Sequence, residues 1–246
     1  MIPKIIHYCW FGYKSLPPLA IKCIESWRKY FPDYEIREWN ETNYNVHSVP
    51  YIHEAYEAKK YAFVSDYARF EILYKYGGIY FDVDVEVIKS MNNIIERGSF
   101  MGCENDAGDQ KMTMITVAPG LGIGVVSGLE LYHEILELYA TLHFVNPNGS
   151  LNLKTVVDYT TEQLCKHGLK STNEIQECAG IWIYPQEYFC PISVHDGKLR
   201  ITSNTVSIHH YAQSWQSPVR KYGRKIALFL GGGRLKELLK KIIYKS

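Results

Sequence analysis

Two carboxylates separated by one residue, Asp82-Val83-Asp84, follow the apolar run Gly77-Gly78-Ile79-Tyr80-Phe81. Open α/β sheets bind their ligands at the carboxyl ends of strands, so this is a place where chemistry is expected. If the strand continues, Asp82, Asp84 and Glu86 lie on one face. Three such charges repel one another unless a cation sits between them. Hard oxygen ligands suit Mn2+ or Mg2+, which take one or two carboxylates and complete their shells with phosphate oxygens and water. A divalent metal holding a diphosphate fits this spacing. Acidic residues alternating on the wet face of an antiparallel strand give the same spacing with no chemistry at all.

The segment just upstream bears on that choice. Ser65-Asp66 reads as the start of a helix that closes at Gly77, since Ser or Asp at the first position and Gly after the last are helix punctuation. On such a helix Ala68, Ile72 and Tyr76 form a buried stripe. Asp66 and Arg69, three apart, meet on one face of the first turn. A surface ion pair would explain them equally well in an arbitrary helix. This helix, however, leads directly into the strand of Asp82 and Asp84.

Taken together, Ser65-Asp66-x-x-Arg69 and Gly77-Gly78-Ile79-Tyr80-x-Asp82-x-Asp84 resemble the glycosyltransferases with a DXD sugar-binding region. That family includes the initiating α-1,6-mannosyltransferase type, capsule and lipooligosaccharide transferases and, more distantly, the clostridial glucosylating toxins. The opening Ile2-Pro3-Lys4-Ile5-Ile6-His7-Tyr8-Cys9-Trp10-Phe11-Gly12 is similar to the family's first strand and nucleotide-binding turn, and His209-His210-Tyr211-Ala212-Gln213-Ser214-Trp215 to its closing motif. The resemblance runs from residue 2 to about 215 and is loose between about 100 and 205.

It implies a GT-A type, Rossmann-like nucleotide-binding α/β fold with a mixed, mostly parallel central sheet. It also implies a metal-dependent, retaining transferase that moves a hexose from a nucleotide-diphosphate sugar, UDP-sugar favoured, to a glycan or lipid-linked saccharide in surface polysaccharide synthesis. Asp82, Asp84 and His209 are the expected ligands of Mn2+ or Mg2+; of the adjacent His209 and His210, which face opposite ways on a strand, only one can point to the metal edge. Asp66, Arg69 and Asp84 are the expected catalytic residues. The donor is expected to lie against Tyr8, Cys9, Trp10, Asp66, Arg69, Tyr80, Asp82 and Val83, with Trp10 stacked on the base and Ser214 and Trp215 closing over the sugar.

Two other classes share parts of the pattern. A haloacid-dehalogenase-type phosphatase also places D-x-D after an apolar strand, but needs a later acidic pair for Mg2+ that this chain does not offer convincingly. A non-catalytic glycan-binding protein would suit the 20 Tyr and 5 Trp, yet has no need of the Asp66, Arg69, Asp82 and Asp84 cluster.

The elements that must position these residues alternate. A strand at 4–8, a helix from Pro17-Pro18, a strand at 34–39, a helix at 51–62, the Asp66 helix and the Asp82 strand read as βαβ units. Strands follow at 85–88 and 99–104, then the run Pro119-Gly120-Leu121-Gly122-Ile123-Gly124, a helix at 128–142, a segment at 182–185 and a strand at 206–211. The glycine run sits mid-chain, not between a first strand and first helix, so it reads as close backbone packing beside the sugar site and not as a dinucleotide fingerprint.

With 246 residues, 46% of them hydrophobic, and a formal net charge of +1, the chain is long enough for one well-filled domain and shows no bias toward nucleic acid. The expected organisation is a domain over 1–215, with a nucleotide-sugar half at 1–84 and an acceptor half at 85–215, and a tail over 216–246. The six cysteines contain no C-x-x-C pair and read as reduced, mostly buried thiols. No signal sequence or membrane-spanning run is evident, so a cytoplasmic location is expected. The tail sets Arg220, Lys221, Arg224, Lys225, Arg234, Lys236, Lys240, Lys241 and Lys245 against Glu237 alone, interleaved with apolar residues on either side of Gly231-Gly232-Gly233. A basic amphipathic segment of this kind suits peripheral contact with an anionic membrane at its inner face.

Overall fold

The computed structural model describes residues 1–108, 114–192 and 197–212. In chain order its main elements are β1 (Ile5–Cys9), α1 (Pro18–Tyr30), β2 (Glu35–Trp39), α2 (Pro50–Glu57), α3 (Tyr61–Tyr76), β3 (Gly78–Tyr80), β4 (Val85–Val87), α4 (Asn92–Arg97) and β5 (Phe100–Gly102). A 3-10 turn (Pro119–Leu121), β6 (Ile123–Val125), α5 (Glu130–Ala140), α6 (Val156–Lys166), β7 (Gln176–Cys178), β8 (Ile181–Tyr184), α7 (Gln186–Phe189) and β9 (Ser207–His209) complete it.

Seven strands form one sheet in the order β2-β1-β3-β6-β5-β8-β7. The β1 strand is parallel to β2 and β3, β5 is parallel to β8, and β6 and β7 run against their neighbours. Five strands therefore share a direction, which gives the mixed, mostly parallel α/β sheet expected from the alternation of elements. The β4 and β9 strands form a separate antiparallel ribbon with Val85 opposite His209. Residues 1–210 form one compact unit; of the second, 211–246, only Tyr211 and Ala212 are described. Ser214, Trp215 and the basic tail lie outside the described residues.

Helix α1 has Pro18 in its first turn, where a missing N–H costs nothing, and buries Ala20, Cys23, Ile24 and Trp27. The Trp27 indole donates to the Val85 carbonyl at 2.7 Å, tying α1 to β4. Helix α3 packs against α2 and α5 as well as the sheet, and is accordingly apolar on several sides. Phe70 meets Tyr132 edge-on at 5.0 Å, and Tyr51 meets Tyr139 the same way. Each such ring, fully buried, contributes about 1.5–3 kcal/mol. Five of the six thiols are buried.

The helix carrying Asp66 starts four residues earlier than its punctuation suggests. Ser65 and Asp66 are interior positions, the N-cap is Lys60 without a side-chain bond, and the Ser65 hydroxyl turns back to the Tyr61 carbonyl at 3.2 Å. The run Tyr61-Ala62-Phe63-Val64 extends the helix because Phe63 and Val64 are buried. The expected helix at 51–62 is correspondingly split, with Lys59 in the left-handed region at φ 57° between α2 and α3. Tyr76 is 45% exposed and does not complete a buried stripe. The other elements with expected bounds end within two residues of them, β9 included, which closes at His209; the Asp82 strand stops at Tyr80, and α4, β6, α6, β7 and α7 are not among the expected elements.

Candidate active site

The chain leaves α3 through Gly77 and Gly78, both at positive φ (62° and 101°). A Cβ on Gly78 would stand 2.6 Å from the Ile5 carbonyl oxygen, so only glycine lets β3 pair so closely beside β1. That strand ends at Tyr80. Asp82 and Asp84 thus sit in the turn between β3 and β4, with the Val85 amide bonded to the Asp82 carbonyl at 3.0 Å. The shared strand face expected for Asp82, Asp84 and Glu86 does not exist. Glu86, on β4, accepts instead from Lys22 (2.9 Å) and bonds His210 Nε2 (2.8 Å).

The β4–β9 ribbon supplies the missing partner. It sets His209 beside Asp84, Nε2 to Oδ1 3.1 Å, while the His210 amide donates to the Asp84 carbonyl. One potential ligand atom from each of Asp82, Asp84 and His209 lies within 4.8 Å of the others. Their side chains are 29%, 14% and 13% exposed, sheltered yet reachable. Burial alone would depress His209, but the Asp84 contact and the charge of Asp82 raise its pKa above the ordinary value. The pocket draws positive charge to this point.

Helix α3 brings the second half. The buried Arg69 guanidinium contacts Asp66 Oδ1 at 2.7 Å and Asp82 Oδ1 at 3.3 Å, and its Nε donates to the Ser65 carbonyl. It lies 4.9 Å from the Tyr80 ring centre, and the Tyr80 hydroxyl donates to Asp82 Oδ1 at 3.1 Å. Burial, reinforced by the charge of Asp82 and opposed by Arg69, pushes Asp66 up to about 7. Burial likewise pushes the Cys9 thiol, next to Tyr80 and Arg69, up to about 12. From the glycine run, Gly120 closes one wall: a Cβ there would lie 2.2 Å from Asp82 Oδ2 and 3.2 Å from Arg69 Nη1.

Asp66, Arg69, Cys9, Tyr80, Asp82, Asp84 and His209 are therefore contiguous. Val83 lies in the turn between the two carboxylates. Tyr8, on the opposite face of β1 from Cys9, packs on Trp27 and donates to Glu38 Oε2 at 2.6 Å. Trp10 is half-buried in the following turn, its indole donating to the Lys14 carbonyl. That turn is held by a residue that no motif announces: Glu41 Oε1 accepts from the Gly12 amide at 2.6 Å and from the Tyr56 hydroxyl at 3.1 Å.

Two carboxylate oxygens and an imidazole nitrogen, converging beside a buried arginine, suit a divalent cation that prefers oxygen and tolerates nitrogen. Residues 17–101 match the family described as glycosyltransferase sugar-binding region containing DXD motif. The similar blocks at 2–12 and 209–215 lie outside that match. Among curated relatives, the uncharacterized glycosyltransferase L373 of Acanthamoeba polyphaga mimivirus is 34% identical over 110 residues, which is 41% of this chain and 42% of that protein. Inositol phosphoceramide mannosyltransferase 3 of Schizosaccharomyces pombe is 32% identical over 98 residues, 38% of this chain and 27% of that protein. The chain thus spans less than half the length of these relatives. The solved PaToxG glycosyltransferase has a TM-score of 0.51 at 20% identity, over 67% of this chain and 69% of that one, a likeness of fold. The match over residues 17–101, which hold Asp66, Arg69, Asp82 and Asp84, is thus a likeness to the glycosyltransferase sugar-binding region containing DXD motif, and the α/β fold around it is of the GT-A type.

Proposed function

We propose that the chain is a metal-dependent, retaining glycosyltransferase that takes a hexose from a nucleotide-diphosphate sugar, UDP-sugar favoured. The observation that carries this reading is the convergence of Asp82, Asp84 and His209 within 4.8 Å, next to the Arg69–Asp66 pair. Asp82, Asp84 and His209 would hold Mn2+ or Mg2+, which when bound neutralises the negative charge that develops on a departing diphosphate. The chain's own residues do the rest. Arg69, kept charged by Asp66 and Asp82, adds a fixed positive charge at the same edge and costs no reorganisation during reaction. Tyr80 and Arg69 both hold Asp82 Oδ1, leaving Oδ2 toward Gly120.

Asp66, on α3 with its side chain 13% exposed, accepts from sugar hydroxyls and fixes the ring; Trp10 offers its indole face to the base. Retention follows from the family resemblance, by attack on the face the diphosphate leaves. The acceptor is a glycan or a lipid-linked saccharide of surface polysaccharide synthesis. The protein works in the cytoplasm, and its basic tail makes peripheral contact with anionic lipid at the inner face. A panel of nucleotide sugars, screened for Mn2+-dependent hydrolysis and thermal stabilisation, tests the reading. Hydrolysis of one nucleotide-sugar class, abolished by EDTA and restored by Mn2+, is the expected result. Hydrolysis that persists in EDTA would overturn the metal dependence.

A further inference from the structure

The loop between β2 and α2 and the outer face of α2 bring together a second group of ligating side chains. Ile52 and Ala55 face the core, so His53 and Glu57, four residues apart, both stand on the solvent side of α2. His47 reaches them from the loop. It is placed by the buried Val46, by its own amide bonded to Asn45 Oδ1 at 3.0 Å, and by an edge-on contact with Tyr56 at 5.8 Å. His47 Nδ1 and His53 Nδ1 stand 2.6 Å apart, with ring centres at 4.9 Å. With a Glu57 oxygen they form a triad of ligand atoms all within 4.8 Å of one another. At this distance the two imidazole nitrogens share one ring's own proton as N–H···N, and a cation that takes the proton's place is held by both.

We propose that His47, His53 and Glu57 form a second metal site, for a borderline transition-metal ion of the Zn2+ class. The donor set decides the ion. Two imidazoles and one carboxylate suit an open Zn2+ site, in which three protein ligands leave the fourth position to water, whereas the Asp82, Asp84 and His209 set is richer in hard oxygen. All three residues are exposed, so the ion enters without any opening of the fold. Its effect is a cross-link: the ion joins the loop at 40–49 to α2. That loop also carries Glu41, which holds the turn after β1 through the Gly12 amide and shares the Tyr56 hydroxyl. The site does not depend on the transferase reading, and its test needs no donor sugar.

Calorimetric titration of the full chain with ZnCl2, in Mg2+ excess, is the measurement, repeated on His53→Ala, Glu57→Gln and Asp84→Asn. The Zn2+ event is expected to weaken at least about 100-fold in His53→Ala, since loss of a direct ligand costs no less than loss of the groups behind it. A smaller loss is expected in Glu57→Gln and none in Asp84→Asn. Co2+ absorption checks the assignment: visible bands of a low-coordinate nitrogen-oxygen site should survive Asp84→Asn and vanish in His53→Ala. An isotherm unchanged by His53→Ala would overturn the proposal. So would one lost in Asp84→Asn, or Zn2+ binding weaker than about 1 mM in the unaltered chain.

Discussion

At the scale of single residues, the candidate centre is held by contacts that can each be removed. Asp84 meets His209, and Asp82 meets Arg69 and Tyr80. Asp84→Ala is expected to lower Mn2+-dependent donor hydrolysis by about 10²- to 10³-fold, the usual loss when one preorganised electrostatic group is removed. Melting temperature should change little, and the two readings together check it. Gly120→Ala is a sharper probe, because its Cβ would press on Asp82 Oδ2 at 2.2 Å and on Arg69 Nη1 at 3.2 Å without removing either side chain. It should weaken metal-dependent activity while keeping all three proposed ligands. Full activity in that variant would show that Asp82 need not hold its position. Asp66→Asn and Trp10→Ala should separate two roles: the first cripples turnover and spares nucleotide-diphosphate affinity in Mn2+, and the second weakens that affinity. Calorimetry with the two variants reads the split.

At the scale of elements, three junctions carry the site: the Gly77-Gly78 turn, the β4–β9 ribbon and the register of β1. The last is fastened by His7, which is fully buried; its Nδ1 accepts from the Trp39 indole at 3.1 Å, so its Nε2–H donates to the Gly77 carbonyl at 2.9 Å. One side chain thereby joins β1, β2 and the end of α3. Burial, with the charge of Arg37 adding to it, lowers His7 from 6.5 to about 4. As pH falls below 6.5 the unfolded chain takes up this proton first, so the contribution is complete above about 6.5 and is lost progressively toward 4. At full size it is about 3 kcal/mol. Urea unfolding at pH 7.5 and pH 4.5 should show that loss, and His7→Gln should flatten the His7 part of it while lowering stability at pH 7.5. An equally steep profile in the variant would refute the assignment. Element order was legible as far as β4 from the alternation of apolar runs with helix signals, whereas α4, β6, α6, β7 and α7 were not. Element ends were less so: Ser65-Asp66 has the composition of a helix start, yet the burial of Phe63 and Val64 pulls the helix to Tyr61.

At the scale of the whole molecule, the division at residue 210 sets the β9 histidine at the very end of the first unit. Among the described residues no helix is long and apolar enough to cross a membrane. The lipid contact proposed for the basic tail is peripheral and electrostatic, each cation near an anionic surface adding about 1 kcal/mol. Truncation after Trp215 is expected to leave donor hydrolysis measurable and to lower binding to phosphatidylserine-containing vesicles. Equal vesicle binding with and without the tail at physiological salt would rule the contact out.

The amino-acid sequence by itself determined which residues could do chemistry and the order of the elements that carry them. Asp66, Arg69, Asp82 and Asp84 lie within nineteen consecutive positions, and short-range spacing is enough to mark them. The tertiary structure alone decided how they face. Asp82 and Asp84 sit in a turn and not on a strand face, because β3 ends at Tyr80 and the ribbon begins at Val85. Glu86 turns away to Lys22 and His210, and His209 arrives from more than a hundred residues later because Val85 pairs with it. Glu41 on the Gly12 amide and His47 against His53 had no signature at all. The first joins residues 29 apart, and the second, though only six apart, needs the loop before α2 to fold back on that helix, so both depend on packing. Neither leaves a period or a motif in the chain.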